Sequence, residues 1–185
     1  MLWKILAREK EAILKRWLDL ILSTYPHETK KFLVRKADRF ANPVGSSIES
    51  GIAEIYDWLL KEDDGQTPPF IASLDKIVRI RAVQSFSPAA AVGFVFLLKH
   101  AVREVVAKEI QSGLHFEQLL TFESKIDKLS LLAFSIYMQC RETIFDIRAT
   151  EIRDRTSRIL ERACRKYGMP SEWMDPEESD DNSVT

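Results

Sequence analysis

Residues that interrupt helices are scarce in this chain, with 6 glycines and 7 prolines among 185 residues. The prolines stand at what read as helix starts or in the last stretch, so long segments run unbroken, which favours helices over a turn-rich β fold. Histidine and cysteine are scarcer still, at three and two. None of His27, His100 and His115 has a second His, Cys or carboxylate at metal-ligand spacing on a shared face, which excludes the common zinc patterns. Cys140 and Cys164 fall on one predicted helix, 24 residues apart. That separation is ~36 Å along a helix, too far for a disulfide within the chain. Glycine-rich phosphate loops and nucleophile elbows are missing as well, so the expectation is a protein that is not an enzyme and carries no metal or cofactor.

Charge-free apolar runs are short. The longest, Pro88 to Leu98, has eleven residues, whereas a membrane span needs roughly 20. The opening stretch is charged from Lys4 and Arg8 onward and holds no apolar segment of signal-peptide length. A cytoplasmic protein with no membrane partner is expected. The formal net charge of -1 conceals an asymmetry. Residues 169–185 contain six acids and neither Lys nor Arg, which leaves 27 basic against 22 acidic side chains on residues 1–168. The expected organisation is one domain over 1–168 followed by an acidic, disordered tail over 169–185.

What is present is helical periodicity. Trp3, Leu6, Ile13, Leu14, Trp17, Leu18 and Ile21 recur at spacings of three and four, predicting an amphipathic helix that ends near Thr24. Pro26 opens a short second helix reaching about Lys36. Asn42-Pro43 reads as N-cap and first helical residue of a third, with Ile48, Ile52, Ile55, Tyr56 and Leu59 as its buried stripe. Glu62 to Pro69 is a polar loop. A fourth helix runs from Pro69 to Val83, and Ser87-Pro88 caps a fifth that continues to Gln111 and is apolar all round in its first half, as a central helix would be.

The last segment has 54 residues between Gly113 and Gly168 without a Gly or Pro. A helix from Phe116 to Cys164 would be ~73 Å long, against a diameter of roughly 40 Å for a compact chain of this size, so it is expected to protrude. Phe122, Ile126, Leu129, Ala133, Ile136, Cys140, Ile144 and Ile147 form one stripe suited to the core. Phe145, Ala149, Ile152, Thr156, Ile159 and Ala163 form a second, spaced 4-3-4-3-4 and flanked by Arg148, Glu151, Arg155, Arg158 and Arg162. That is an a/d seam with charged neighbours. It implies either a coiled coil with a second chain or packing back on the same chain. The seven bases between Arg148 and Lys166 are interleaved with three acids, the pattern of a solvated or paired face and not of a nucleic-acid interface.

One cluster stands apart. Arg79 and Arg81 lie among Ile77, Val78, Ile80, Ala82 and Val83, and arginines in such a setting must snorkel, find an acidic partner or bind a small anion. His100, on the apolar fifth helix, is either a satisfied helix histidine or a ligand-binding group. Arg79, Arg81 and His100 are therefore the candidate ligand- or anion-binding residues.

Two stretches carry a resemblance: Asp38-Arg39-Phe40-Ala41-Asn42-Pro43-Val44-Gly45, and the run Ile77 to Lys99 that includes Arg79, Arg81, Phe86, Ser87-Pro88 and Phe94. With Trp17 and Tyr25-Pro26, they resemble the N-terminal domain of RsbRD-type proteins, RsbT co-antagonists of bacterial stress signalling. The resemblance implies an all-α, globin-like bundle of about six helices without haem, dimeric, with a long C-terminal helix that transmits to a STAS domain phosphorylated by the kinase RsbT. In this sequence only the acidic stretch follows Gly168, so the expectation is a sensor-like module whose partner is a second copy and a separate regulatory protein, of STAS-domain or kinase type. In a globin-like arrangement the proximal ligand would fall on the helix from Pro69 to Val83, which has no His, while His100 would fall on the following helix, the wrong place for an axial ligand. The alternative is a sensor that binds haem or a small anion through His100 or the arginine pair.

Two outcomes follow. Circular dichroism should report helix far above the ~30–35% of an average protein, with no substantial strand signal. Protein produced with haem supplementation should be colourless, and a Soret band that disappears in His100→Ala would reverse that conclusion.

Overall fold

A computed structural model describes residues 2–34, 42–61, 70–84, 86–110 and 115–168. Their regular structure is entirely helical: α1 (Leu2–Arg8), α2 (Lys10–Ser23), α3 (His27–Val34), α4 (Pro43–Leu59), α5 (Ile71–Val83), α6 (Pro88–Gly93), α7 (Leu97–Val105), α8 (Ala107–Ile110) and α9 (Phe116–Tyr167). The chain is thus all-α with a long C-terminal helix. The polar stretch 62–69, the first half of the Asp38–Gly45 motif (38–41) and the acidic stretch 169–185 lie outside the described residues. The chain divides into two units, Met1–Cys140 and Arg141–Thr185.

Sequence expectations and helices agree best where caps are explicit. Asn42 accepts a hydrogen bond on its side chain from the Gly45 N–H at 2.9 Å, with Pro43 in the first turn of α4. A Cβ on residue 45 would run into the Asn42 side chain, so glycine suits the position. Ser87 caps α6 in the same way through the Ala90 N–H, again with Pro88 in the first turn.

The six expected helices become nine segments among the described residues because two are interrupted. The first breaks at Glu9, which offers no side-chain cap. The fifth, expected to run unbroken from Ser87 to Gln111, turns tightly through Phe94, Val95 and Phe96 and breaks again at Val106. The cause of the first of these turns is a contact made 77 residues away in sequence. The buried indole Nε1 of Trp17 donates to the Phe94 carbonyl at 2.7 Å. That carbonyl would otherwise receive the Leu98 N–H; Leu98 bonds instead to Val95, and the turn tightens to i→i−3 bonds.

In the first unit, α2 packs along α7 and against α4, and α4 packs along α5. Gly51 allows close approach there, since a Cβ would lie 2.8 Å from the end of Ile77. Trp17, Tyr56, Phe94 and Phe122 are the large rings enclosed in the core. Tyr56 satisfies its hydroxyl on the Leu6 carbonyl, and Phe122 meets Trp3 and Tyr56 edge-on. The α9 residues Phe122, Ile126, Leu129, Ala133, Ile136 and Cys140 are buried as the first stripe requires. Beside them Glu123 is buried and takes a bidentate pair from Arg103 of α7, both bonds 2.7 Å. Such a fork holds a carboxylate in two places and restores part of its desolvation cost.

The Asn42 side chain does more than cap α4, because its Nδ2 donates to the Leu33 carbonyl at 2.7 Å and so ties the end of α3 to the start of α4. Asn42→Ala should remove both bonds and cost about 1–2 kcal/mol or somewhat more, read as a lowered urea midpoint with unchanged slope.

Candidate functional site

The two arginines of α5 do not act together. Residues two apart on a helix point about 200° from each other. Arg79 is exposed and its Nε donates to Asp75 Oδ2 at 2.7 Å, an i,i+4 surface pair that raises the guanidinium pKa through that hydrogen bond and charge. Arg81 is wholly enclosed, with 0% of its surface accessible. His100 is exposed on α7, one turn before Glu104. The Glu104 carboxyl is held below the usual carboxylate range, chiefly by its hydrogen bond from Arg16. The structure therefore leaves Arg79 and His100 on the surface and encloses Arg81.

What surrounds Arg81 comes from elements that the sequence pattern does not connect. Its Nη2 donates to Thr24 Oγ1, just past the end of α2, and to the Ala90 carbonyl of α6, each at 3.0 Å. Its Cζ lies 4.2 Å from the Phe86 ring centre, 4.9 Å from that of Tyr25 and 5.7 Å from that of Phe94. Tyr25 and Phe86 themselves meet edge-on at 5.1 Å, and the Phe86 carbonyl accepts from Tyr137 of α9 at 3.4 Å. Burial pushes the guanidinium pKa down, partly countered by Tyr25. Among the described residues, Arg81 Nε, Arg81 Nη1 and Tyr25 Oη are buried without a well-formed hydrogen bond, although the Tyr25 hydroxyl lies close enough to the guanidinium to favour its charge. Among the described residues Arg81 has no ion pair, so the acidic partner expected for this cluster exists for Arg79 alone. Ring contacts contribute about 0.5–2 kcal/mol each, against a desolvation penalty of several kcal/mol for a buried cation.

The second unit presents a different surface. Phe145, Ile152 and Ile159 are 71%, 66% and 57% exposed, Ala149 and Thr156 are exposed between them, and Ala163 is half-buried. The six residues assigned to an a/d seam thus lie on one helix with their large side chains in solvent. The preceding stripe ends earlier than its periodicity suggests: Ile144 is only half-buried and Ile147 is 61% exposed. Spacing continues past the boundary between the two units, but burial requires neighbouring elements.

Sequence reasoning missed Thr24, Tyr25, Phe86 and Phe94 as neighbours of Arg81; the one available signal was that aromatic residues flank the arginine-bearing run on both sides. It also missed the exposed Leu131, Phe134 and Met138 of the first unit. Their signal is register, since Leu131 and Met138 stand at multiples of seven before Phe145. Among the described residues, no group of three or more His, Cys, Asp or Glu side chains could hold a metal ion. No described helix is long and apolar enough to cross a membrane.

Comparison with known proteins adds three findings. A family model described as the RsbT co-antagonist protein rsbRD N-terminal domain matches residues 11–152. An uncharacterised protein of Archaeoglobus fulgidus is 26% identical over 144 residues, covering 77% of this chain and 84% of that protein. No solved structure matches significantly. The family match spans well over half of the chain, from the start of α2 into the exposed part of α9, and on it the chain belongs to the RsbT co-antagonist protein rsbRD N-terminal domain family.

Proposed function

We propose that the protein is a non-enzymatic, cytoplasmic module of bacterial-type signalling that works by pairing two copies through the second half of α9 and presenting that pair to a separate regulatory protein. The observation that carries this reading is the exposed seam of Phe145, Ile152 and Ile159 with Ala149, Thr156 and Ala163 between them. Large apolar side chains at every seventh position, alternating with small ones, suit a second helix of the same sequence, each knob entering a hole beside an alanine or threonine. An apolar stripe of this kind left in water is a liability that self-association removes.

Charge supports the same occupant and orients it. With Phe145, Ile152 and Ile159 at one core position, Arg141, Arg148, Arg155 and Arg162 form a flanking column on one side. An antiparallel pair would set that column against itself. A parallel pair instead brings Arg141 of one copy towards Asp146 of the other and Arg155 beside Leu160, leaving Arg148 against Arg153 as the one unfavourable match. Parallel pairing is therefore favoured. Family membership supports the regulatory role, and the resemblance to RsbRD-type proteins makes a STAS-domain or kinase protein the class of partner that reads the paired helices.

Burying one isoleucine contributes about 1.5–3 kcal/mol, so Ile152→Lys with Ile159→Lys removes four such side chains from a pair and should abolish association at micromolar concentration. Light scattering should show a dimer for the wild type and a monomer for the double variant, with unchanged helical dichroism and lost binding to the partner. A monomeric wild type, or a double variant that unfolds, would place the seam in the body of the molecule and end this proposal.

A further inference from the structure

The second unit is α9 from Arg141 to Tyr167 together with Gly168, among the described residues. Along it every residue is exposed except Ile144, Ala163 and Cys164, and Cys164 is only 9% exposed. Ala163 and Cys164 share one face with Leu160, three and four places earlier, which is 42% exposed. Pairing through the seam would not account for Cys164, which points about 100° away from Ala163 around the helix. The helix then ends at Gly168, whose φ of +64° is the left-handed conformation of a helix stop. A hydrophobic residue directly after such a glycine packs onto the last turns of its own helix. Charge is uneven over the same turns. Arg148 to Lys166 holds seven bases and three acids, an excess of four. Among the described residues none of the seven has an ion pair. Arg158 donates to the Asp154 carbonyl, and Lys166 lies over the Tyr167 ring.

We propose that the acidic stretch 169–185 folds back along α9 and occupies this face. With Gly168 as the helix stop, Met169 is the residue that meets Cys164 and Ala163. An extended segment advances roughly 3.3 Å per residue and a helix about 1.5 Å, so each returning residue passes about two of α9. Once the turn is made, Trp173 comes level with Leu160, and Glu177 and Glu178 come level with Arg153. Arg153 shares the face of Cys164, since eleven residues are close to three turns. The six acids of the stretch, with neither Lys nor Arg among them, match the excess of bases on the helix. An outside acidic partner would have to compete with a segment already tethered beside those bases, at an effective concentration on the order of millimolar. The contact adjoins the seam at Ala163, so a second copy pairing through α9 has to displace it there. That consequence rests on the pairing proposed above, whereas the contact itself does not.

The test is the rate at which N-ethylmaleimide alkylates Cys164 in the full chain at fixed pH, read by mass spectrometry of its peptide. Cys140, buried in the first unit, is the internal reference. In the wild type Cys164 should react slowly, at a rate independent of protein concentration. The rate should rise about tenfold when Glu172→Gln, Asp175→Asn, Glu177→Gln, Glu178→Gln, Asp180→Asn and Asp181→Asn are combined, because these charges hold the stretch in place. Trp173→Ser should raise it as well, and so should about 1 M sodium chloride, where charges are screened beyond about 3 Å. Cys140 should be unaffected throughout. Equal Cys164 rates in the wild type and both variants would confine the cover to the helix end and overturn the proposal. Protection that grows with protein concentration would make a second copy the occupant and overturn it too. A monomeric wild type whose Cys164 is protected by the acids would end the pairing reading and keep this one.

Discussion

The bond from the Trp17 indole to the Phe94 carbonyl is the constraint on which the first unit is arranged. A tryptophan can be buried completely only if its N–H finds an acceptor, and here the acceptor is taken out of a helix. Removing that carbonyl from the ladder divides the apolar run after Ser87 into α6 and α7. The turn lets α7 lie along α2 while the Phe94 ring is buried. The same ring closes one side of the Arg81 enclosure. One hydrogen bond thus links the helix path, the packing of α2 and the setting of the buried charge.

Arg79 and Arg81 show how position on a helix separates identical chemistry. Arg79 faces solvent and meets Asp75 one turn away in a surface pair that water and salt screen. Arg81 faces inward, loses its hydration and receives only neutral oxygens and ring faces in return. A hydrophobic side chain of similar volume would serve stability at least as well.

Helix α9 carries two burial regimes on one continuous backbone. Up to Cys140 its apolar stripe is covered and its one buried acid, Glu123, is held by Arg103. From Arg141 the apolar period persists with its large side chains Phe145, Ile152 and Ile159 exposed. The family match ends at residue 152, part-way along this exposed stretch. Phe145, Ala149 and Ile152 fall inside it, whereas Thr156, Ile159 and Ala163 fall beyond.

Much of this architecture was legible in the sequence because its determinants are local. The Asn42-Pro43 and Ser87-Pro88 caps act within three residues, the stripes of α4 and α9 repeat at three and four, and the absence of Gly and Pro from 114 to 167 leaves one long helix. The spacing of Phe145, Ile152 and Ile159 was legible for the same reason. Only tertiary structure decided the break at Phe94 and the surroundings of Arg81, since these depend on partners 77 and 57 residues distant. It alone decided where the first stripe of α9 stops, because Ile144 and Ile147 keep the period of Cys140 but lack its cover. Periodicity states which face of a helix is apolar; what lies against that face is set by the rest of the chain, and no local rule contains it.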